Sequence, residues 1–347
     1  TALQSLELEC ALSGLLPPAA ISSMKQLTSL SWHVSRPLSM EEWEEGAGDA
    51  EEPVFEEFQG TQHLALCTAL RRLSVEAADP VPLLSEEHVV AAWPHLEDLC
   101  LEQVAPLFGV LPSTGNVGFW QALVQLPCLT TLYANNVQGV ASKVLRSSLP
   151  SRLAVLHLKQ YSEPALPLLP PTLTWLNVTC TDGLRVLPVS PALRLLHVQG
   201  SGLHLTCPDH ASAMSHLTAL YLRFCELGER LPASLAALRA LKRLVVTDSQ
   251  LCILPGELAC LGSLQQLCLG YNDFRSVPAV LGGGAASRLQ YLDLSNNTRL
   301  VVDDEGLAVL HSLTALTFLY LNGAAQPRLE KLKASEVMVR ALKAAFS

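Results

Sequence analysis

The sequence predicts an α/β solenoid, with a parallel β-sheet on a concave face and short helices or 3₁₀ turns on the convex face. Four similar leucine-led segments begin at Leu217, Leu241, Leu264 and Leu289. The steps between them are 24, 23 and 25 residues, and self-similarity at a period of about 20–50 residues is typical of solenoids. Within a segment, pairs such as Leu244 and Val246 alternate with outward positions, which is typical of a short strand.

The same segment can be followed along nearly the whole chain. Thirteen repeats begin at Leu3, Leu27, Leu70, Leu96, Leu129, Leu153, Leu173, Leu193, Leu217, Leu241, Leu264, Leu289 and Leu316. A single repeat cannot bury its own leucines, so neighbouring repeats stack on one another and share a core. Two ordinary domains would be expected for 347 residues, but a solenoid grows without adding a new core. We therefore predict one solenoid of about thirteen repeats over residues 1–326.

The segments between the strands are predicted to be one helical or 3₁₀ turn each. Leu235, Leu238, Leu241 and Leu244 are spaced by three. A helix turns by about 100° per residue and would spread these four over half of its circumference. The two steps that lead to Leu173 and to Leu193 are only 20 residues long and rich in proline. Because proline removes a hydrogen bond from a helix interior, their convex segments are expected to be nearly extended.

Two long steps interrupt the early repeats. Residues 40–60, within an insertion at about 39–60, hold nine acidic residues and no basic one, which is typical of a solvated loop. The alternative is a docking tail for a basic partner, with Trp43, Phe55 and Phe58 as anchors. The step of 33 residues after Leu96 contains glycines and then a predicted helical turn from Phe119 to Leu126.

The repeats stop after Leu316. Residues 327–347 then place five apolar side chains at broadly helical spacing: Leu329, Leu332, Val337, Val339 and Leu342. Since the end of a solenoid must be covered, we predict a C-terminal capping helix over 327–347. The N-terminal end shows no comparable cap.

Charge and composition exclude several classes of function. The net charge is −9, which argues against general nucleic-acid binding because that depends on Lys and Arg. Apolar runs are broken well before the ~18 residues that a membrane span needs. Residues 1–150 carry 18 acidic and 6 basic side chains, whereas residues 151–347 carry 14 acidic and 17 basic. We expect no nucleic-acid partner and no membrane span.

The ten cysteines are scattered, without CxxC pairs. Buried, reduced thiols that act as small apolar groups are the expected state. The predicted location is therefore the cytoplasm. The alternatives are association with the cytoskeleton or axoneme, and an extracellular receptor ectodomain.

The four clean repeats read LTALYLRFCEL, LKRLVVTDSQL, LQQLCLGYNDF and LQYLDLSNN. They resemble the leucine-rich-repeat family, with its LxxLxLxxN segment followed by LPxxLxxLxx, in the intracellular type. The resemblance implies a curved horseshoe that binds partners on its concave face. Comparable arrays occur in signalling scaffolds, immune-type receptors and ubiquitin-ligase adaptors. The ninth position departs from the family, since it is Asn only at Asn272 and Asn297.

Outward strand positions give the candidate binding site. The early end of this wall is acidic, and its middle is aromatic and cationic. The predicted partner-binding patch consists of Tyr133, His157, Lys159, Trp175, His197, Tyr221, Arg223 and Arg243. Aromatic residues and Arg are the types enriched at binding hot spots. The alternative is that alternating strands simply expose these side chains without any functional role.

No arrangement of residues indicates catalysis, a cofactor or a metal ion. There is no GxSxG, HExxH or phosphate-binding glycine loop. His204, Cys207 and His210 lie close in sequence but fit no strong zinc spacing. We predict a non-enzymatic, monomeric scaffold that binds a partner protein in signal transduction. The alternative is the recognition region of a larger signalling enzyme, ubiquitin-ligase adaptor or immune-type receptor.

Overall fold

The computed structural model describes residues 3–11, 23–35, 66–77, 93–102, 117–135, 144–145, 149–161, 165–166, 168–180, 184, 190–200, 213–225, 227–282 and 287–321. The chain divides into two compact units, Thr1–Tyr161 and Ser162–Ser347, which we call the N-terminal and the C-terminal unit. The predicted acidic insertion at 39–60, the boundary at residue 326 and the capping helix over 327–347 lie outside the described residues. These three remain predictions.

The N-terminal unit is built on six described strands. They are β1 (Ser5–Ala11), β2 (Ser29–Ser35), β3 (Arg72–Ala77), β4 (Asp98–Glu102), β5 (Thr131–Ala134) and β6 (Val155–Tyr161). Each strand pairs in parallel with the next one in the chain. Helix α1 (Val117–Val124) lies between β4 and β5 in the sequence, two residues earlier than the helical turn predicted from Phe119 to Leu126.

The C-terminal unit has seven described strands. They are β7 (Trp175–Cys180), β8 (Leu195–Gln199), β9 (Ala219–Arg223), β10 (Arg243–Thr247), β11 (Gln266–Cys268), β12 (Tyr291–Asp293) and β13 (Phe318–Tyr320). They too pair in parallel and in chain order. Thirteen parallel strands among the described residues, one for each predicted repeat, confirm the predicted solenoid.

Short helical segments connect the strands of the C-terminal unit. The 3₁₀ segments are Ala233–Ala237, Gly256–Cys260 and Ala279–Gly282, and the α-helix α2 spans Asp304–Ser312. Each of the three 3₁₀ segments follows a proline, at Pro232, Pro255 and Pro278. Helix α2 is capped by Asp303, whose Oδ1 accepts a hydrogen bond from the Gly306 amide at 2.8 Å. The predicted single turns between strands are therefore present here.

The leading leucines form the core. Twelve of the thirteen are at most 6% exposed, and each such side chain contributes about 1.5–3 kcal/mol through burial. The exception is Leu3, which is 48% exposed. It precedes β1, and residues 12–22, which follow β1, lie outside the described residues.

Polar side chains close the turns after the strands of the C-terminal unit. The Asn272 amide donates to the carbonyls of Val246, Leu269 and Gly270 at 2.7, 3.0 and 3.1 Å. Its Oδ1 accepts from the amides of Ser249 and Leu251. Asn297 repeats this arrangement one repeat later, donating to Leu269, Leu294 and Ser295 and accepting from Phe274. Each side chain ties its own turn to the repeat before it.

Cysteine takes the same position in an earlier repeat. The Cys225 thiol is buried and donates to the carbonyls of Val198 and Arg223 at 3.7 and 3.4 Å. One residue before this position, the chain adopts a left-handed backbone in five repeats. The residues are Gln160, Phe224, Asp248, Tyr271 and Asn296, with φ between 53° and 56°. The turn geometry is thus repeated even where the side chain changes.

No helix among the described residues is long and apolar enough to cross a membrane.

Candidate interaction surface

The predicted patch lies on the side of the strands where alternate side chains stay partly exposed, which we call the open face. In β8 and β6, buried and partly exposed side chains alternate along the strand, as the pleat of a strand requires. Tyr133, His157 and Lys159 lie in the N-terminal unit, and the other five predicted residues lie in the C-terminal unit. The two groups are therefore described separately.

In the N-terminal unit the three predicted residues form one cluster. Tyr133 and His157 are register partners on β5 and β6, and their rings stack at 5.0 Å with an interplanar angle of 28°. The Lys159 ammonium lies 4.9 Å above the centre of the Tyr133 ring. It also donates a hydrogen bond to Glu102 Oε1 at 2.8 Å. The cation is therefore held on the open face by a carboxylate and an aromatic ring.

This cluster shifts the proton affinity of both basic groups. Burial lowers the pKa of His157, and the positive charge of Lys159 adds to that decrease. The hydrogen bond from Lys159 to Glu102 raises the pKa of the lysine, with a second contribution from Tyr133. At neutral pH the cluster therefore holds a neutral imidazole beside a charged ammonium.

In the C-terminal unit the structure brings together His197, Tyr221 and Arg243. His197 and Tyr221 are register partners, and their rings meet edge to face at 5.6 Å and 64°. The Arg243 guanidinium donates to Tyr221 Oη at 2.7 Å through Nη1 and to Gln266 Oε1 through Nε. The ring and guanidinium are thus fixed in one orientation before any partner arrives.

Trp175 and Arg223 flank this trio in neighbouring rows. Trp175 is 43% exposed, and its register partner on β8 is Leu195, not His197. Arg223 is exposed at the end of β9 and is the register partner of Thr247. Its guanidinium makes no hydrogen bond or ion pair with a described residue. Of the predicted cations, Arg223 therefore keeps its charge most available to a partner.

Two carboxylates at the predicted acidic end of the wall are paired with neighbouring cations. Arg72 Nε lies 3.1 Å from Asp98 Oδ2, and Lys159 is paired with Glu102. Outside the wall, Arg71 Nη1 lies 2.6 Å from Glu97 Oε1. The charges of Asp98 and Glu102 are therefore already paired within the chain, whereas Glu7 is exposed and, of the described basic residues, lies near only His33, at 3.9 Å.

Sequence reasoning missed a Ser–His–Glu arrangement on β2 and β3. Ser31 Oγ lies 3.2 Å from His33 Nε2, and His33 Nδ1 lies 2.8 Å from Glu76 Oε2. The signal was present, since Ser31 and His33 alternate on one strand and Glu76 is the register partner of His33. The order of groups is that of a nucleophile, a base and an orienting carboxylate.

Among the described residues, this arrangement has no free backbone amide close to Ser31. Strand β2 pairs on both sides over Ser29–Val34, so the backbone amides near Ser31 serve the sheet and cannot stabilise an oxyanion. Glu7 Oε1 also lies 3.9 Å from His33 Nε2, so a second carboxylate lies near the ring nitrogen that faces Ser31. In the described part of the chain, these contacts orient the imidazole between Ser31 and Glu76.

A second cluster was not singled out from the sequence. The rings of Tyr291 and Tyr320 lie 5.3 Å apart, and those of Tyr291 and Phe318 lie 6.1 Å apart. Asp293 is the register partner of Tyr320. Burial, followed by the nearby Cys268 and Asp293, raises the pKa of Tyr291 to about 12. Equal offsets from the leading leucines could have predicted this cluster, because they place residues side by side.

The described residues contain no group of three or more His, Cys, Asp or Glu side chains that could hold a metal ion. His204, Cys207 and His210 lie outside the described residues. What the open face offers chemically is a set of aromatic rings, guanidinium groups and carboxylates, some paired and some not. Such a surface is suited to recognition of another molecule.

Comparison with known proteins shows the fold. A leucine-rich-repeat protein of Leptospira interrogans is 19% identical, with a TM-score of 0.51 over 95% of this chain and 88% of that one. An internalin from Listeria monocytogenes is 16% identical, with a TM-score of 0.50 over 92% and 83%. The plant peptide hormone receptor RGFR1, in complex with RGF2, is 16% identical, with a TM-score of 0.51 over 91% and 54%. The leucine-rich-repeat fold is thus confirmed.

No protein-family model and no curated protein matches the sequence. The intracellular type of repeat stays a prediction.

Proposed function

We propose that the chain is a non-enzymatic protein-interaction module that binds a partner protein through the open face of its C-terminal unit. The observation that carries the proposal is the fixed trio of His197, Tyr221 and Arg243, with Arg223 exposed beside it. A surface that is already ordered loses little conformational freedom on association. Aromatic and Arg side chains are those that most often dominate binding energy.

The charge of this surface indicates the partner's chemistry. Arg223 has no ion pair with a described residue, and Arg243 is held by two neutral groups, Tyr221 and Gln266. Neither guanidinium is neutralised by those contacts, so both favour a carboxylate on the partner. One protein of similar fold is a peptide hormone receptor seen in complex with RGF2, which supports recognition of a polypeptide.

We also propose that the module is of the intracellular type, acts as a monomer and lies in the cytoplasm. The scattered cysteines support this, and the seven cysteines whose side chains are described are free thiols. An intact-mass measurement on the native protein tests it. Free thiols and no attached glycan are expected, whereas disulfides or glycans would contradict a cytoplasmic location.

The binding proposal is tested by replacing the aromatic anchors. A pull-down with the intact chain, followed by mass spectrometry, first identifies the partner. The double variant Trp175→Ala with Tyr221→Ala is then expected to weaken binding by about thirtyfold or more, as the loss of hot-spot side chains does. Its circular dichroism spectrum should stay unchanged because both side chains lie on the open face.

The matched control is Tyr271→Ala. Tyr271 is an exposed aromatic residue of the same unit, 58% exposed, in the turn after β11. Its removal should leave the affinity within about twofold, since scattered surface residues contribute little. If the double variant bound as well as the unchanged protein, the open face of β7–β10 would not be the site.

A further inference from the structure

The aromatic and acidic side chains of β12 and β13 form a second surface in the C-terminal unit. We call Tyr291, Asp293, Phe318 and Tyr320 the aromatic–acid cluster. Tyr291 contacts both other rings, at centroid distances of 5.3 and 6.1 Å and interplanar angles of 40° and 42°. Phe318 is 45% exposed, and the other three side chains are half-buried. The three rings therefore form a tilted group with accessible faces, not a closed stack.

No cation among the described residues forms an ion pair with the carboxylate of this cluster. Asp293 Oδ1 accepts a hydrogen bond from the Ser295 amide at 2.9 Å, and Asp293 forms no ion pair with a described residue. In the N-terminal unit, by contrast, Glu76, Asp98 and Glu102 each lie within 3.1 Å of a basic group. Asp293 is thus a half-buried negative charge in register with Tyr320 and close to Tyr291, and the faces of both rings are also negative.

The N-terminal unit shows which group a tyrosine ring and a carboxylate hold when they lie close together. In the N-terminal unit, the Lys159 ammonium lies 4.9 Å above the Tyr133 ring and 2.8 Å from Glu102 Oε1. A tyrosine ring and a carboxylate on neighbouring strands thus hold one cation between them. Tyr320 and Asp293 also lie on neighbouring strands, in direct register. Unlike Tyr133 and Glu102, these two residues have no described cation between them.

We infer that the aromatic–acid cluster binds a basic side chain of the partner protein, and that this side chain is arginine. A guanidinium is planar, stacks on aromatic faces and still donates hydrogen bonds from its edge. Three tilted rings offer it such faces, and Asp293 offers it an acceptor. An ammonium could contact the same groups but presents no flat surface to the rings.

The position of the cluster adds detail to the proposed function. This step of the inference depends on that function. Arg223 lies on β9 and Asp293 on β12, three strands apart, which corresponds to about 14 Å at the usual strand spacing. An extended chain covers this distance in about four residues. A segment that crosses the strands would therefore carry an acidic residue opposite Arg223 and an arginine about four residues away.

The inference is tested with a small probe that needs no knowledge of the partner. N-acetyl-arginine amide is titrated into the full chain. Its binding is measured by saturation-transfer NMR from the ring protons of tyrosine and phenylalanine. N-acetyl-citrulline amide, which has the same shape but no charge, serves as the matched probe. We expect saturable binding of the arginine derivative and binding of the citrulline derivative that is at least about tenfold weaker, because one charge-assisted hydrogen bond is lost.

The matched variants are Asp293→Asn and Asp273→Asn. The first keeps the shape and an acceptor for the Ser295 amide but removes the charge, and should weaken arginine binding about tenfold. The second removes the same charge from an exposed turn residue outside the open face and should change nothing. Phe318→Leu, which removes one ring, should weaken binding several-fold.

Equal binding of the two probes, or an unchanged affinity in Asp293→Asn, would overturn the inference. Equal binding of N-acetyl-lysine amide would overturn the choice of arginine. Because none of these titrations involves the partner or residues of β7–β10, their failure would leave the proposed function open to its own test with Trp175 and Tyr221.

Discussion

The two compact units carry similar side chains on their open faces but use the charged ones differently. In the N-terminal unit, Lys159 is held by Glu102 and Tyr133, and Arg72 is paired with Asp98. In the C-terminal unit, Arg223 and Asp293 have no ion pair with a described residue. A charge that is already paired has less to gain from a partner. Residue composition alone therefore does not locate a binding surface. What locates it is whether the charged side chains are already paired within the chain.

The units also differ behind the sheet, at the turn after each strand. Asn272 and Asn297 close turns of the C-terminal unit with several hydrogen bonds each. At the corresponding position, the last residue of β6, the N-terminal unit has Tyr161, a large and fully buried side chain. The C-terminal unit therefore uses a polar closure where this part of the N-terminal unit uses an aromatic side chain.

The largest expected effect comes from removing that polar closure. Asn272→Ala leaves the amides of Ser249 and Leu251 and the carbonyl of Val246 without their partner. Each unsatisfied buried group costs about 1–3 kcal/mol, so we expect a loss of about 3 kcal/mol or more. Urea unfolding measures the loss, and hydrogen exchange shows which unit opens.

The matched control is Cys225→Ala at the same repeat position. A thiol is a weak donor, so this loss should stay below about 1 kcal/mol. Two results would contradict the difference between the units. One is that protection from hydrogen exchange falls equally in both units after Asn272→Ala. The other is that Cys225→Ala lowers the free energy of unfolding as much as Asn272→Ala does.

A smaller effect concerns the thiol beside Asp293. Burial, followed by the charge of Asp293, raises the pKa of Cys268 to about 11, so little thiolate is present at pH 8. We expect iodoacetamide to modify Cys268 at least about tenfold more slowly than Cys260, which is exposed. Peptide mass spectrometry over time gives both rates.

Asp293→Asn should raise the rate at Cys268 a few-fold, because a negative charge that opposes the thiolate is removed. Equal rates at the two cysteines would contradict the raised pKa of Cys268, and an unchanged rate in the variant would show that the charge of Asp293 does not act on this thiol.

The smallest effect is the titration of His157 in the N-terminal unit. Burial and Lys159 lower its pKa below the ordinary value of 6.5, so the unfolded chain takes up this proton at a higher pH than the folded one. The contribution of His157 to stability is present above pH 6.5 and is lost as the pH falls through the folded pKa.

NMR of the His157 ring proton should therefore show a midpoint below 6.5, and His157→Gln should flatten the pH dependence of unfolding in that window. Lys159→Gln should move the midpoint upward by less than about one unit. A midpoint at or above 6.5 would mean that Lys159 does not act on the imidazole. The pairing of charges described for the open face of the N-terminal unit would then be wrong.

The fold could be predicted because a solenoid repeats one local pattern. Leu241, Leu264 and Leu289 begin repeats of nearly equal length, and equal offsets from these residues define the core, the open face and the turn. Contacts are made mainly between neighbouring repeats, so no long-range pairing had to be guessed. Leu3 follows the pattern in sequence but is half exposed, since burial also depends on what covers a residue.

The candidate site could be predicted only as a row of exposed positions. Offsets place Tyr133 beside His157 and His197 beside Tyr221, as observed. They do not say that Lys159 turns toward Glu102, 57 residues away, or that Arg243 turns toward Gln266. Those choices depend on side-chain rotamers and on competition between charges, which a one-dimensional pattern does not contain.

The left-handed step shared by Phe224, Asp248 and Tyr271 has a consequence for engineering. Since the backbone turns at the same offset in each of these repeats, residues 241–263 form a cassette whose two ends have matching geometry. A copy of this cassette could be inserted without a new kind of turn. Each copy would lengthen the C-terminal open face by one strand, about 4.8 Å, so the reach of the binding surface could be adjusted in equal steps.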